Sequence, residues 1–161
     1  MFRRRVLVSG FLVSLGVGAL IVGLSSYVPA YVQGVLGTGP TEAGFALAAL
    51  TMGWPIAAAL SGRLYLRLGF RDTALIGITL AIAGSLLTAH LSATSSVSAV
   101  AAAMFVTGCG MGLSASPTVV AVQSVVGWER RGVVTGTTMF VRSTGGAMGA
   151  EAVGAVANAA P

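Results

Sequence analysis

The fold is decided by residues 3–32, which read RRRVLVSGFLVSLGVGALIVGLSSYVPAYV. Three arginines precede a run from Val6 to Val32 that carries no charge. Because a spanning helix needs about 20 apolar residues and a charge in hydrocarbon is costly, this stretch predicts a transmembrane helix with its basic end in water. The run is longer than the apolar core of a secretory signal, and further apolar runs follow it, so a cleaved signal peptide is not expected.

The composition extends this interpretation to the whole chain. Of 161 residues, 55% are hydrophobic and 8% are charged, whereas soluble domains carry about 25% charged residues. The net charge of +5 comes from arginines beside the apolar runs, so a nucleic-acid partner is not expected. With Cys109 alone, no disulfide can form within the chain. Walker, HExxH and GxSxG motifs are missing from the sequence, so we expect neither an enzyme nor catalytic residues, metal ligands or a cofactor.

Five apolar segments are long enough to cross a bilayer, at about residues 6–32, 42–60, 73–91, 97–126 and 132–158. They predict an all-α integral membrane protein with one membrane domain over residues 1–161. The connections are short, at residues 34–41, 61–72, 92–96 and 127–131. The N-terminus and the second and fourth connections hold eight of the nine arginines. This alternation predicts a cytoplasmic N-terminus.

The second connection contains a motif of a known family. Residues 62–71 read GRLYLRLGFR, which resembles the loop between the second and third helices in each half of a major facilitator superfamily transporter. Leu66 stands where the family pattern has an acid. The resemblance implies a cytoplasmic gating loop, although the same arginines could simply anchor the chain on the inner side. The residues that match the motif and would form this loop are Gly62, Leu64, Arg67, Gly69 and Arg71.

Further motifs make the resemblance more specific. Residues 27–37 (YVPAYVQGVLG), 108–113 (GCGMGL), 129–136 (ERRGVVTG) and 145–149 (GGAMG) follow in order. Together they resemble the C-terminal half of EmrB/QacA-type multidrug:proton antiporters with fourteen helices, without that half's last helix. The resemblance covers residues 2–158. It implies five helices of a six-helix half, proton-coupled efflux of lipophilic drugs, and a place in the plasma membrane of a bacterium. The implied partners are the lipid bilayer, the remaining half or a second copy, and a small lipophilic substrate.

Arg142 is the sharpest candidate for the substrate pathway. It follows Arg131 by eleven residues, which at about 1.5 Å per residue places it roughly 16 Å into the bilayer. A guanidinium at that depth must face the bundle interior or a wet cavity. The alternative is a helix that starts later and leaves Arg142 at the cytoplasmic interface. Gln123, Gln33 and Trp54 are further pathway candidates, with packing between helices or against lipid as the alternative.

Glu151 is a candidate proton site, because a desolvated carboxyl can take up a proton near neutral pH. It follows Arg142 by nine residues, so the two side chains point to opposite sides of one helix. Glu151 is also predicted near the outer surface, where it could simply be hydrated.

A function of another class also fits five helices. The chain could be a membrane interaction subunit that transports nothing, or a truncated remnant. Its motifs stop within the fold of the resembled family, which favours a part of a transporter. Pairs of glycines four residues apart, such as Gly108 and Gly112, are expected to bring helix backbones close together in either case.

Overall fold

The structure is a computed structural model that describes residues 2–92 and 94–159. The chain forms five long α-helices, and the described residues contain no strand. A 3₁₀ turn at Trp128–Arg130 precedes the last helix. The predicted all-α class is therefore confirmed. The helices are α1 (Phe2–Gly34), α2 (Pro40–Leu68), α3 (Phe70–Ala89), α4 (Val97–Ser124) and α5 (Arg131–Ala159).

Within the described residues, α1 to α4 are long and apolar enough to cross a membrane. Helix α5 has 29 residues, which is sufficient length, but it does not reach the same hydropathy. Its polar and charged side chains, including Arg142 and Glu151, account for the difference. A helix of this kind needs neighbours to cover its polar groups in a bilayer.

The helix ends follow from local chemistry. Pro40 occupies the first position of α2, where a missing N–H costs nothing and a fixed φ favours the helix. Gly69 separates α2 from α3 with φ 90° and ψ 163°, a combination that is essentially limited to glycine. Near the C-terminal end of α1, the hydroxyl of Tyr31 donates a hydrogen bond of 2.7 Å to the carbonyl of Ser92.

The connection predicted over residues 61–72 is almost entirely helical, whereas the gating role expected of its residues stays a prediction. Helix α2 continues through Arg67 to Leu68, and α3 begins at Phe70, so Gly69 alone is non-helical. The apolar run ends near Leu60, but the backbone hydrogen bonds of a helix continue into the interface wherever the residues favour helix. The edge of an apolar span therefore does not mark the end of its helix.

The chain divides into two compact units, and each is described by itself. Unit 1 comprises residues 1–26 and 118–161, and unit 2 comprises residues 27–117. Helices α1 and α4 contribute to both. The predicted single membrane domain over residues 1–161 stays a prediction.

In unit 2, α4 packs between α2 and α3 through glycines. A methyl group on Gly108 would overlap the carbonyl of Leu50 on α2, and one on Gly110 would overlap Ala81 on α3. Gly84 of α3 approaches the backbone of Thr107 in the same way. Small residues thus bring three backbones together, as the glycine spacing on α4 predicted.

In unit 1, α1 and α5 form a second close contact, which we call the α1–α5 seam. Methyl groups at Gly145 and Gly149 would overlap the carbonyls of Leu15 and Ala19, and one at Gly18 would overlap the carbonyl of Arg142. Within the described part of the chain, Gly132 and Gly136 have no such neighbour within 4 Å. The close packing expected of glycines four residues apart is therefore not found at Gly132 and Gly136.

Candidate functional site

The α1–α5 seam places Arg142. Gly18 lies against the carbonyl of Arg142, and positions 142, 145 and 149 share one face of α5, so Arg142 lies where α5 comes closest to α1. Helix α5 begins at Arg131, so Arg142 lies three turns inside it. The helix therefore does not start later than predicted, whereas the depth of Arg142 in the bilayer stays a prediction. The Arg142 side chain is half-buried, and its Nε is buried.

In unit 1, the end of α4 also contacts α5. The Nε2 amide of Gln123 donates a hydrogen bond of 3.1 Å to the hydroxyl of Thr135. Val122 lies one residue earlier and is buried. This contact joins the end of α4 to the second turn of α5 across the 127–131 connection.

A cavity of about 50 Å³ lies between these two helix segments. The lining residues on α5 recur every three or four positions, which places them on one face of the helix. On α4 the spacing is the same. The cavity therefore brings together two predicted pathway residues, Gln123 and Arg142. The side chains around it are Val119, Val122, Gln123, Val134, Thr135, Thr138, Met139 and Arg142.

The size of this cavity limits what it can hold. A water molecule occupies about 30 Å³ of the liquid, so about 50 Å³ has room for one or two waters. Ligand pockets for drug-sized molecules are roughly 300–1,000 Å³. The cavity is thus a small, largely apolar space, although Arg142, Gln123 and two threonines are among the residues that line it. A bulky substrate would need a wider space beside these residues.

Thr135 and Thr138 were not predicted as site residues. Their spacing from Arg142 was visible in the sequence, because positions 135, 138 and 142 share one helix face. The hydroxyl of Thr138 donates a hydrogen bond of 2.7 Å to the carbonyl of Val134. The methyl group of Thr138 is therefore free to contribute to the apolar wall.

The other predicted residues are not among those that line this cavity. Gln33 is exposed near the end of α1, and Trp54 is half-buried on α2; both belong to unit 2. Glu151 is exposed on α5. The roles proposed for these three residues stay predictions.

The gating motif forms the α2–α3 corner of unit 2. Arg67 lies in the last turn of α2, and Arg71 lies in the first turn of α3. Both side chains are exposed, whereas Gly62 is half-buried in α2. The rings of Tyr65 and Phe70 stack across the corner, with their centres 4.9 Å apart. The corner is therefore compact on its apolar side, with its two arginines open to solvent.

The sequence model of the Major Facilitator Superfamily matches residues 1–150. The chain belongs to this superfamily. It is 31% identical over 150 residues to the Multidrug transporter protein MdtP of Bacillus subtilis (strain 168), an alignment that covers 93% of this chain and 27% of the relative. It is 26% identical over 156 residues to Multidrug resistance protein 3 of the same organism, covering 97% of this chain and 30% of the relative.

These matches confirm the superfamily that the sequence motifs indicated, and with it a membrane-embedded chain of a transporter family. The chain spans less than a third of the length of either relative.

Proposed function

We propose that this chain is part of the second half of a secondary active transporter that exports lipophilic drugs in exchange for protons. The observation that carries the proposal is the superfamily match over residues 1–150, together with two relatives whose names describe multidrug transport or resistance. The motif order from residue 27 to residue 149 supports the C-terminal half and the EmrB/QacA type. We place the carrier in the plasma membrane of a bacterium, as the organism of both relatives suggests.

The residues of the proposed pathway follow from unit 1. Arg142 lies three turns inside α5, and a charge kept inside a membrane segment usually serves function. Gln123 and Thr135 hold α4 and α5 together beside it. In our proposal, Arg142 contacts the substrate pathway when a wider space opens next to this hydrogen bond. Carriers of this kind work by rocking two halves about a site near the bilayer midplane.

Energy coupling is proposed to come from a proton gradient, as the resemblance to EmrB/QacA-type multidrug:proton antiporters implies. Glu151 remains the candidate proton site of this chain. Arg67 and Arg71 are proposed to take part in closing the cytoplasmic side, with the single residue Gly69 setting the separation of their helices. Lipid, the remaining half of the carrier and a small lipophilic substrate are the proposed partners.

The first test is the mass of the native polypeptide, detected in source membranes with an antibody against residues 62–72. A band several-fold heavier than 16.0 kDa is expected if the chain is part of a complete carrier. A band at 16.0 kDa would contradict this, and the chain would then be an interaction subunit or would need a partner chain for transport.

The second test measures dye efflux from cells that lack their own drug exporters and express the native polypeptide. We expect Arg142→Ala to abolish efflux at normal abundance in the membrane, and Arg142→Lys to recover only part of it, because lysine lacks the planar donors of arginine. Gly132→Ala, in open space on the same helix, is the matched control and should retain efflux. Full efflux by Arg142→Ala would refute the pathway role. Efflux that survives collapse of the proton gradient would refute the coupling.

A further inference from the structure

A second cavity of unit 1 lies at its basic end and is not used by the proposed transport site. It is an open groove of about 620 Å³, where the start of α1 meets the connection between α4 and α5. Its apolar walls come from Leu7 on α1 and from Val125 and Val126 after α4. Its polar rim comes from Trp128, Glu129 and Arg130.

More arginines than carboxylates lie in and beside the rim of the groove. Arg130 lines it, and the guanidinium carbon of Arg131 stands 5.1 Å from the centre of the Trp128 ring, in a cation–π contact. Arg4 precedes Leu7 by three residues on α1 and so lies on the same face of that helix. Glu129 is the one carboxylate among the residues that line the groove. The groove therefore favours an anion over a cation or a neutral group.

The position of the groove matches the boundary between headgroups and acyl chains. Arginines at the ends of apolar helices mark the cytoplasmic interface, and Trp128 is 81% exposed, as is typical of tryptophans in the interfacial belt. A phosphate at the rim would meet Arg130, while the chain below it would meet Leu7 and the two valines. Neither a soluble anion nor a neutral lipid satisfies both parts.

We propose that this groove binds an anionic glycerophospholipid, such as phosphatidylglycerol, with its phosphate at Arg130 and its acyl chains along Leu7, Val125 and Val126. The volume lies within the range of natural ligand pockets, roughly 300–1,000 Å³. The proposal requires a membrane-embedded chain but not drug export. A failure of the efflux test leaves it untouched.

Lipid binding is measured by native mass spectrometry on the 161-residue chain in detergent, titrated with phosphatidylglycerol or phosphatidylcholine. We expect phosphatidylglycerol to bind at least tenfold more tightly. Because each arginine near an anionic lipid surface contributes a factor of about five in affinity, the double variant R130Q/R131Q should lose most of this preference. The matched control R63Q/R71Q removes the same charge from unit 2 and should keep it. Equal losses in both variants would overturn the proposal in favour of general charge attraction.

A fluorescence measurement keeps the test decisive if R130Q/R131Q fails to fold. In a Trp54→Phe background, Trp128 is the remaining tryptophan. Phosphatidylglycerol with brominated acyl chains should quench it more strongly than the equivalent phosphatidylcholine. Equal quenching would refute a specific site. Displacement of the brominated lipid by excess glycerol phosphate would instead identify the ligand as a free phosphate compound and overturn the assignment to a lipid.

Discussion

The α1–α5 seam can be tested by replacing Gly145 with alanine. The added methyl group would overlap the carbonyl oxygen of Leu15 and would lie 2.8 Å from its carbonyl carbon and 2.9 Å from its Cα. These are backbone atoms, so no side-chain rotation can relieve the contact. The two helices must separate, and overpacking of this kind costs about 1–3 kcal/mol.

Gly136→Ala provides the reference for this substitution. It makes the same chemical change inside the same helix, at a position with no atom within 4 Å of the new methyl group in the described part of the chain. Both variants gain about 1 kcal/mol of helix propensity, so this gain cancels in the comparison. The free energy of unfolding of Gly145→Ala should therefore fall about 1–3 kcal/mol below that of Gly136→Ala.

The assay is reversible unfolding of the purified chain in mixed micelles, with increasing sodium dodecyl sulfate and helix content followed by circular dichroism. The difference between the two unfolding free energies is the quantity of interest. If both variants were stabilised by the same amount, the seam would not exist in solution. The placement of Arg142 by that seam would then lose its support.

Two further predictions use the same unfolding assay. Gly69→Ala should lower the free energy of unfolding by about 1–3 kcal/mol, because φ 90° with ψ 163° is unfavourable for alanine. Gly62→Ala, in open space within α2, is the control and should raise the free energy of unfolding by up to about 1 kcal/mol. A loss of stability in both variants would contradict a special conformation at Gly69. Tyr31→Phe removes the hydrogen bond to Ser92 and should cost about 0.5–1.5 kcal/mol. Tyr27→Phe keeps the stacking of its ring on Tyr31 and is the control; equal losses in the two variants would refute the role of the Tyr31 hydroxyl.

Much of the fold could be predicted from the sequence, because apolar length and charge placement act locally. Arg131 marks the start of α5, and the apolar runs identify α1 to α4. The end of α2 and the start of α3 could not be predicted from hydropathy. Hydropathy indicates where the chain leaves the bilayer, whereas a helix ends where a residue such as Gly69 leaves helical φ and ψ.

The site was only partly predictable. The arginine at position 142 could be identified as a candidate because charges are rare inside membrane segments. The hydrogen bond from Gln123 to Thr135 joins residues on two helices, and that pairing depends on how α4 and α5 are rotated about their axes. Glycine spacing alone also could not separate Gly145, which has a partner on α1, from Gly132, which has open space.

The one-residue corner at Gly69 has a consequence for how the protein is made. A single residue spans at most about 3.6 Å, so α2 and α3 cannot move apart at this end without unwinding a turn. As the ribosome extends the chain, the two helices would therefore leave the translocation channel as one hairpin. An epitope inserted beside Gly69 would release that coupling, and it should slow membrane integration even where the finished fold tolerates the insert.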